Sequence, residues 1–152
     1  MTDWRDEVEN TLAAFVTVAE LAGAPISRAE MKIEYLEAPL HPPKQLPCGT
    51  MAACGFWCNG EWLKIGKVGP NSSARYANQH YNLGSALSTL AGSLAKDPHM
   101  QTIAGFDPLT PGAWIKATTH RVNILLPSNK RYELLSLLEA FFHLRLGPRY
   151  EG

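Results

Sequence analysis

The tightest constraint on the fold is the dipeptide Asn59-Gly60, set between "ACGFWC" and "EWLKIG". Asn-Gly best tolerates the two positive φ angles of a type I′ turn, and the flanking runs carry strand-forming aromatic and branched residues. The spacing predicts a hairpin with a two-residue loop. A loop that short fixes the register, so Trp57 pairs with Trp62 and Gly55 lies opposite Lys64. A further strand is predicted at "RVNILLP" (121–127), with Val122, Ile124 and Leu126 on one face.

Helical spacing accounts for much of the rest. Trp4, Val8, Leu12, Phe15 and Ala19 recur at helical intervals over residues 3–22, acidic residues crowd the first turns, and Gly23 and Pro25 stop the run. "SRAE" (27–30) offers a capping box for a short helix, whereas "KIEYLE" (32–37) alternates as a strand does. The four prolines of "APLHPPKQLP" (38–47) exclude regular structure and mark a linker. After the hairpin, Ser72 is placed to cap a helix over about 73–82. Ser85 is placed to cap the next, with Leu87, Leu90, Ala91 and Leu94 on its buried side and Asp97-Pro98 closing it. "GFDPLTPG" (105–112) reads as loop, and a last helix runs from about Asn129 to Leu146 before Gly147-Pro148.

These elements predict an α/β (α+β) domain with a small, mainly antiparallel three-stranded sheet flanked by helices. Residues 1–47 form an N-terminal helical extension and linker, and residues 48–152 form the main domain. A chain of 152 residues with 45% hydrophobic composition is long enough for one real core. No apolar run has membrane-spanning length, and the acidic start "MTDWRDEVEN" is unlike a signal peptide, so the expectation is a soluble, cytoplasmic protein with no membrane partner. Cys48, Cys54 and Cys58 fit neither a zinc knuckle nor a paired disulfide framework and read as reduced and mostly buried.

Formal net charge is zero, but it divides unevenly. Residues 1–50 carry eight acids and four bases; residues 51–152 carry six acids and ten bases. The main domain is therefore modestly cationic, which permits a phosphate-bearing partner. Two solvated surfaces of opposite sign would give the same division. Between Glu61 and Asp97 there is no acid, while Lys64, Lys67, Arg75 and His80 all fall there. Arg75 lies in the first turn of its expected helix, where a guanidinium grips two phosphate oxygens at once. In the last helix, Glu139 sits at the edge of an apolar stripe. Such a carboxylate either pairs with a cation, with Arg75, Arg121 or Arg145 as options, or ligates a hard metal ion; Mg²⁺ commonly takes only one or two protein carboxylates.

The stretch from the hairpin onward resembles the GIY-YIG nuclease superfamily, and a bacterial subgroup of it in particular. Gly55-Phe56-Trp57 corresponds to the first motif and Lys64-Ile65-Gly66 to the second. Arg75 corresponds to the family's arginine, Glu139 in "LLEAFFHLRLGPRYEG" to its glutamate, and Pro148 to the proline that follows. The resemblance covers roughly residues 51–152 and matches the expected order β-β-α-α-β-α. It implies a DNA endonuclease dependent on Mg²⁺ or Mn²⁺, with the metal on Glu139 and the phosphate held by Arg75 with Lys64 or Lys67. The departures are specific. Trp57 and Lys64 stand where the family has tyrosines, no tyrosine occurs between Tyr35 and Tyr76, and Tyr150-Glu151 replaces an asparagine. An indole only donates hydrogen bonds, so Trp57 is no base. Lys64, His80 and Tyr81 are the candidates for proton transfer. A silent member that binds nucleic acid without cutting it is the alternative. Another is an interaction module whose acidic N-terminal helix recruits a protein partner or a second copy.

Overall fold

The computed structural model describes residues 3–84, 86 and 88–150. It is a mixed α+β fold around a four-stranded antiparallel sheet. The strands are β1 (Lys32–Leu36), β2 (Thr50–Cys58), β3 (Glu61–Val68) and β4 (His120–Pro127), in the order β1-β4-β2-β3. The helices are α1 (Trp4–Leu21), α2 (Ser73–Ala77), α3 (Leu90–Lys96), α4 (Pro111–Thr118) and α5 (Tyr132–Leu146).

The expected three strands become four because both signals in residues 27–37 are realised in turn. Glu30 accepts a hydrogen bond from the Ser27 N–H at 3.0 Å and closes a single 3₁₀ turn over Arg28–Glu30. The alternating residues that follow then pair with β4, Ile33 opposite Ile124 and Tyr35 opposite Val122. The residues before 48 accordingly share the sheet and core of the main domain instead of standing apart from it. Trp4, Val8, Leu12, Phe15 and Ala19 of α1 pack with Leu134, Leu135, Leu138 and Phe142 of α5 on one face of the sheet. The indole N–H of Trp62 on β3 donates to Glu7 of α1 at 3.0 Å. Residues 38–47 have no regular structure, yet Leu40 and Leu46 are buried.

The opposite face is covered by α3, α4 and a 3₁₀ turn over Gln79–Tyr81, which enclose Phe56, Leu63, Tyr81, Leu90, Ala91, Leu94 and Ile115. The helix expected over 73–82 stops at Ala77. Asn78 leaves the helical region (φ −145°, ψ −21°), and the Asn82 side chain donates to its carbonyl at 2.9 Å; short amides compete with helix in this way. Thr89, whose hydroxyl accepts from Gly92 N–H, caps α3. Leu90, Ala91 and Leu94 are buried as expected, while Ser85 and Leu87 lie outside the described residues. Helix α4 was not foreseen. It starts with Pro111 at a position where the missing N–H costs nothing, and Gly112 lets it lie against the chain at Tyr81; a Cβ there would meet the Tyr81 carbonyl oxygen at 2.2 Å.

Between the layers lies fully buried Arg121. It donates to Asn123 (2.7 Å), to the Tyr81 hydroxyl (2.8 Å), to the Tyr76 carbonyl (2.8 Å) and to the Cys54 thiol (3.4 Å). The three cysteines are free, Cys48 exposed and the other two buried. Among the described residues no helix is long and apolar enough to cross a membrane.

The hairpin turns at Asn59 (φ 49°) and Gly60 (φ 84°), the two positive φ angles that a type I′ turn requires. Trp57 pairs with Trp62 as expected. The register then slips: Phe56, not Gly55, is opposite Lys64, and Gly55 faces Ile65. One step along β2 spans two along β3, so Leu63 is the extra residue of a β-bulge. Because side chains alternate, one extra residue reverses the side to which every later one points. Trp62 packs with α1 and α5, whereas Lys64 shares the face of Phe56 with α2 and α3.

Candidate active-site groove

Strand β3 is an edge strand, and the groove is built along that edge. Outward carbonyls on such an edge need partners, and backbone amides and side chains from several elements supply them. Near the turn, Arg149 N–H donates to Trp62 O and Tyr150 N–H to Leu63 O, both at 2.9 Å, clasping the bulge. His143 of α5 bonds Ile65 O at 3.0 Å, and Arg75 Nε of α2 bonds Lys67 O at 3.2 Å. Helix α5 from one layer and α2 from the other thus meet across β3.

The cavity between them has a volume of about 380 Å³. Its walls include Lys64, Gly66, Lys67, Arg75, Tyr132 and Glu139. Four expected site residues, Lys64, Lys67, Arg75 and Glu139, therefore share one groove. Each is fixed differently. Arg75 is held by its bonds to Lys67 O and, through Nη2, to Ser88 O at 3.3 Å. Ser88 itself has a positive φ of 60°. Lys67 Nζ bonds Ser136 of α5 at 3.0 Å and lies 5.3 Å from the centre of the Tyr132 ring. Lys64 is 1% exposed, with Nζ 3.5 Å from the Ser93 hydroxyl. Burial lowers its pKa, the neighbouring Arg75 charge lowers it further, and Glu139 opposes both.

Glu139 is half-buried and forms no hydrogen bond or ion pair with any described residue. Its expected alternatives as salt-bridge partners, Arg121 and Arg145, are occupied elsewhere: Arg121 in the buried network, Arg145 against the Phe141 ring. The carboxylate faces three cationic side chains without contacting them. That setting fits a divalent ion only in company with substrate oxygens, which is how Mg²⁺ is usually held. Among the described residues no group of three or more His, Cys, Asp or Glu is placed to hold a metal ion unaided.

Two expected proton carriers are corrected. His80 is 1% exposed and packs beneath Gly66, 5.3 Å from the Phe56 ring. Its Nδ1 accepts the Leu90 N–H at 3.2 Å, which places the proton on Nε2, and Nε2 has no partner among the described residues. Burial, followed by the charges of Arg75, Arg121 and Lys64, holds its pKa well below 6.5. Tyr81 is 4% exposed, raised in pKa by burial, and spends its hydroxyl on Arg121. Neither wall of the groove contains them, because the 3₁₀ turn that replaces the end of the expected helix points both inward. Trp57 is also on the far side, stacked 5.6 Å from His120 and 6.1 Å from Trp4. The bulge therefore puts Trp57 and Lys64, the two positions where the resemblance leads one to expect tyrosines, on opposite faces of the sheet.

Tyr132 is the groove residue missed in the sequence. It lies two helical turns before Glu139, so a period of 3.6 places both on one side of α5, and that periodicity would have found it.

No family model matches the sequence, and no curated protein or solved structure matches it either.

Proposed function

We propose that the groove is a phosphodiester site and that the chain is a divalent-metal-dependent DNA endonuclease of the GIY-YIG type. One observation carries the reading: Arg75 and Glu139, distant in sequence and on different layers, line a single groove with Lys64 and Lys67. Arg75 and Lys67 neutralise the non-bridging oxygens of the phosphate. Lys64, already inclined to lose its proton by burial and by Arg75, accepts the proton of the attacking water. Glu139 would hold the divalent ion, which would supply positive charge to the leaving oxygen and acidify a water that it binds.

A second reading is favoured by a different observation. His80 and Tyr81 are buried, Trp57 faces the other layer, and among the described residues no acid besides Glu139 lines the groove. On that reading the groove holds nucleic acid without cutting it. Purified protein incubated with supercoiled plasmid and Mg²⁺ or Mn²⁺ separates the two. The nuclease reading expects metal-dependent nicking that Glu139→Gln abolishes with little change in melting temperature, since glutamine keeps the shape and helix propensity but not the charge. Plasmid, linear and single-stranded DNA all left intact with either metal would sink it in favour of the binding reading.

A further inference from the structure

Tyr132 is 46% exposed, and among the described residues it is the one aromatic ring among the exposed large hydrophobic side chains. Every other described Phe, Tyr or Trp ring is at least half-buried. The ring lines the same groove as three cationic side chains. It has defined neighbours. Lys67 Nζ sits 5.3 Å from its centre and is itself anchored on Ser136, and the ring edge lies over Gly69, whose missing side chain leaves it room. An exposed aromatic face beside a positive groove is how proteins hold unpaired bases: the cations follow the backbone and the ring stacks a base, whatever its identity.

We infer that Tyr132 is a stacking platform for one unpaired base of a single-stranded or locally opened nucleic acid. The inference rests on the nucleic-acid reading of the groove and names its substrate class. Tyr132 and Glu139 are about 10 Å apart along α5 at 1.5 Å per residue. A stacked strand advances about 3.4 Å per nucleotide, so the base on Tyr132 lies within about three nucleotides of the phosphate at Glu139. It belongs to a flanking nucleotide, which the ring positions without touching the reacting atoms.

The test is equilibrium binding, with EDTA present so that nothing is cut. The probe is a single-stranded oligodeoxynucleotide of roughly 12 nucleotides carrying one 2-aminopurine, within the span of a small binding fold. The same strand in a duplex is the comparison. Tyr132→Ala is expected to weaken single-strand binding about 5- to 150-fold and to abolish quenching of the 2-aminopurine. Tyr132→Phe, which keeps the ring, stays within about two-fold of the wild type, and the duplex responds little to either change. The side chain is exposed, so both variants should melt as the wild type does. Unchanged binding by Tyr132→Ala overturns the inference, as does equal weakening by Tyr132→Phe, which would assign the role to the hydroxyl. An equal loss on duplex and single strand overturns it too. Plasmid nicking with an inert Tyr132 leaves the nuclease reading standing without the platform. Tyr132-dependent binding without nicking leaves the platform standing without the nuclease.

Discussion

Gly55→Ala adds one methyl group where the sheet has no room for it. The new Cβ would lie 3.0 Å from Trp62 Cζ3, 3.4 Å from Cε3 and 3.3 Å from Val122 Cγ1. Carbon atoms rest at about 3.5–4.0 Å, so the indole must move by roughly half an ångström. It is poorly free to do so. Its N–H is bonded to Glu7, and its ring meets Trp4 edge-on at 6.2 Å. Overpacking of this kind costs about 1–3 kcal/mol. Alanine returns about 0.4–1 kcal/mol by restricting the unfolded chain. The net loss is about 1–2 kcal/mol. For a chain of 152 residues, whose unfolding entropy is about 0.3 kcal/mol per kelvin, that is a fall in Tm of about 3–6 °C. A thermal melt followed by far-ultraviolet circular dichroism measures it, and a urea titration with unchanged m assigns it to the native state. Gly55 faces α1 and α5, away from the groove, so nicking per folded molecule should persist. An unchanged or higher Tm refutes the packing argument. Lost nicking at unchanged Tm refutes the assignment of faces on β2.

Lys64→Met should leave Tm unchanged or raise it, because it removes an ammonium buried beside Arg75 while keeping the apolar stem. If Lys64 transfers the proton, cleavage falls about 10²–10⁴-fold with affinity within a few-fold; parallel loss of both makes it a phosphate contact only. The folded state gives up the Lys64 proton below 10.5, where the unfolded state still holds it, so wild-type stability rises with pH up to that value. Paired melts should show the rise missing in Lys64→Met. His80 works at the acid end. It stays neutral in the fold, so as pH falls below 6.5 the unfolded chain gains a proton that the folded one does not, and stability declines. His80→Asn keeps an acceptor for the Leu90 N–H but cannot titrate. Its stability should slope less than that of the wild type between pH 6.5 and about 5; equal slopes would show that another group is responsible.

The sequence made some of this legible for identifiable reasons. Asn59-Gly60 has a nearly unique backbone use, and Gly147 ends α5 in the left-handed conformation (φ 57°) one residue before Pro148, as the Gly-Pro signal predicts. The pairing of Trp57 with Trp62 followed from the turn alone. The bulge was hidden because β3 is buried on both sides, which removes the alternation that would have revealed a change of register. The fourth strand was obscured by two valid signals lying end to end. Arg75 and Glu139, which the structure brings to one groove, stood out in the sequence because each is a charge in an otherwise apolar or acid-free stretch. His80 and Tyr81 were misplaced by the assumption that α2 continues, which Asn78 prevents.

Leu63 gives the hairpin two phases: one from the turn to Trp62, and the opposite one beyond. Removing that single codon would restore a continuous ladder without changing any pair beyond it: Lys64 would follow Trp62 directly and still lie opposite Phe56, and Ile65 opposite Gly55. The ammonium would stay on the Phe56 side of the sheet, at the groove it already lines, and only Leu63 would be lost from the core around Phe56 and Tyr81. One residue more or fewer beyond Lys64 has no such outlet and would turn over every side chain that follows it. The bulge therefore gives β3 slack at a single position: a deletion there is absorbed, and anywhere later in the strand it exchanges one face for the other.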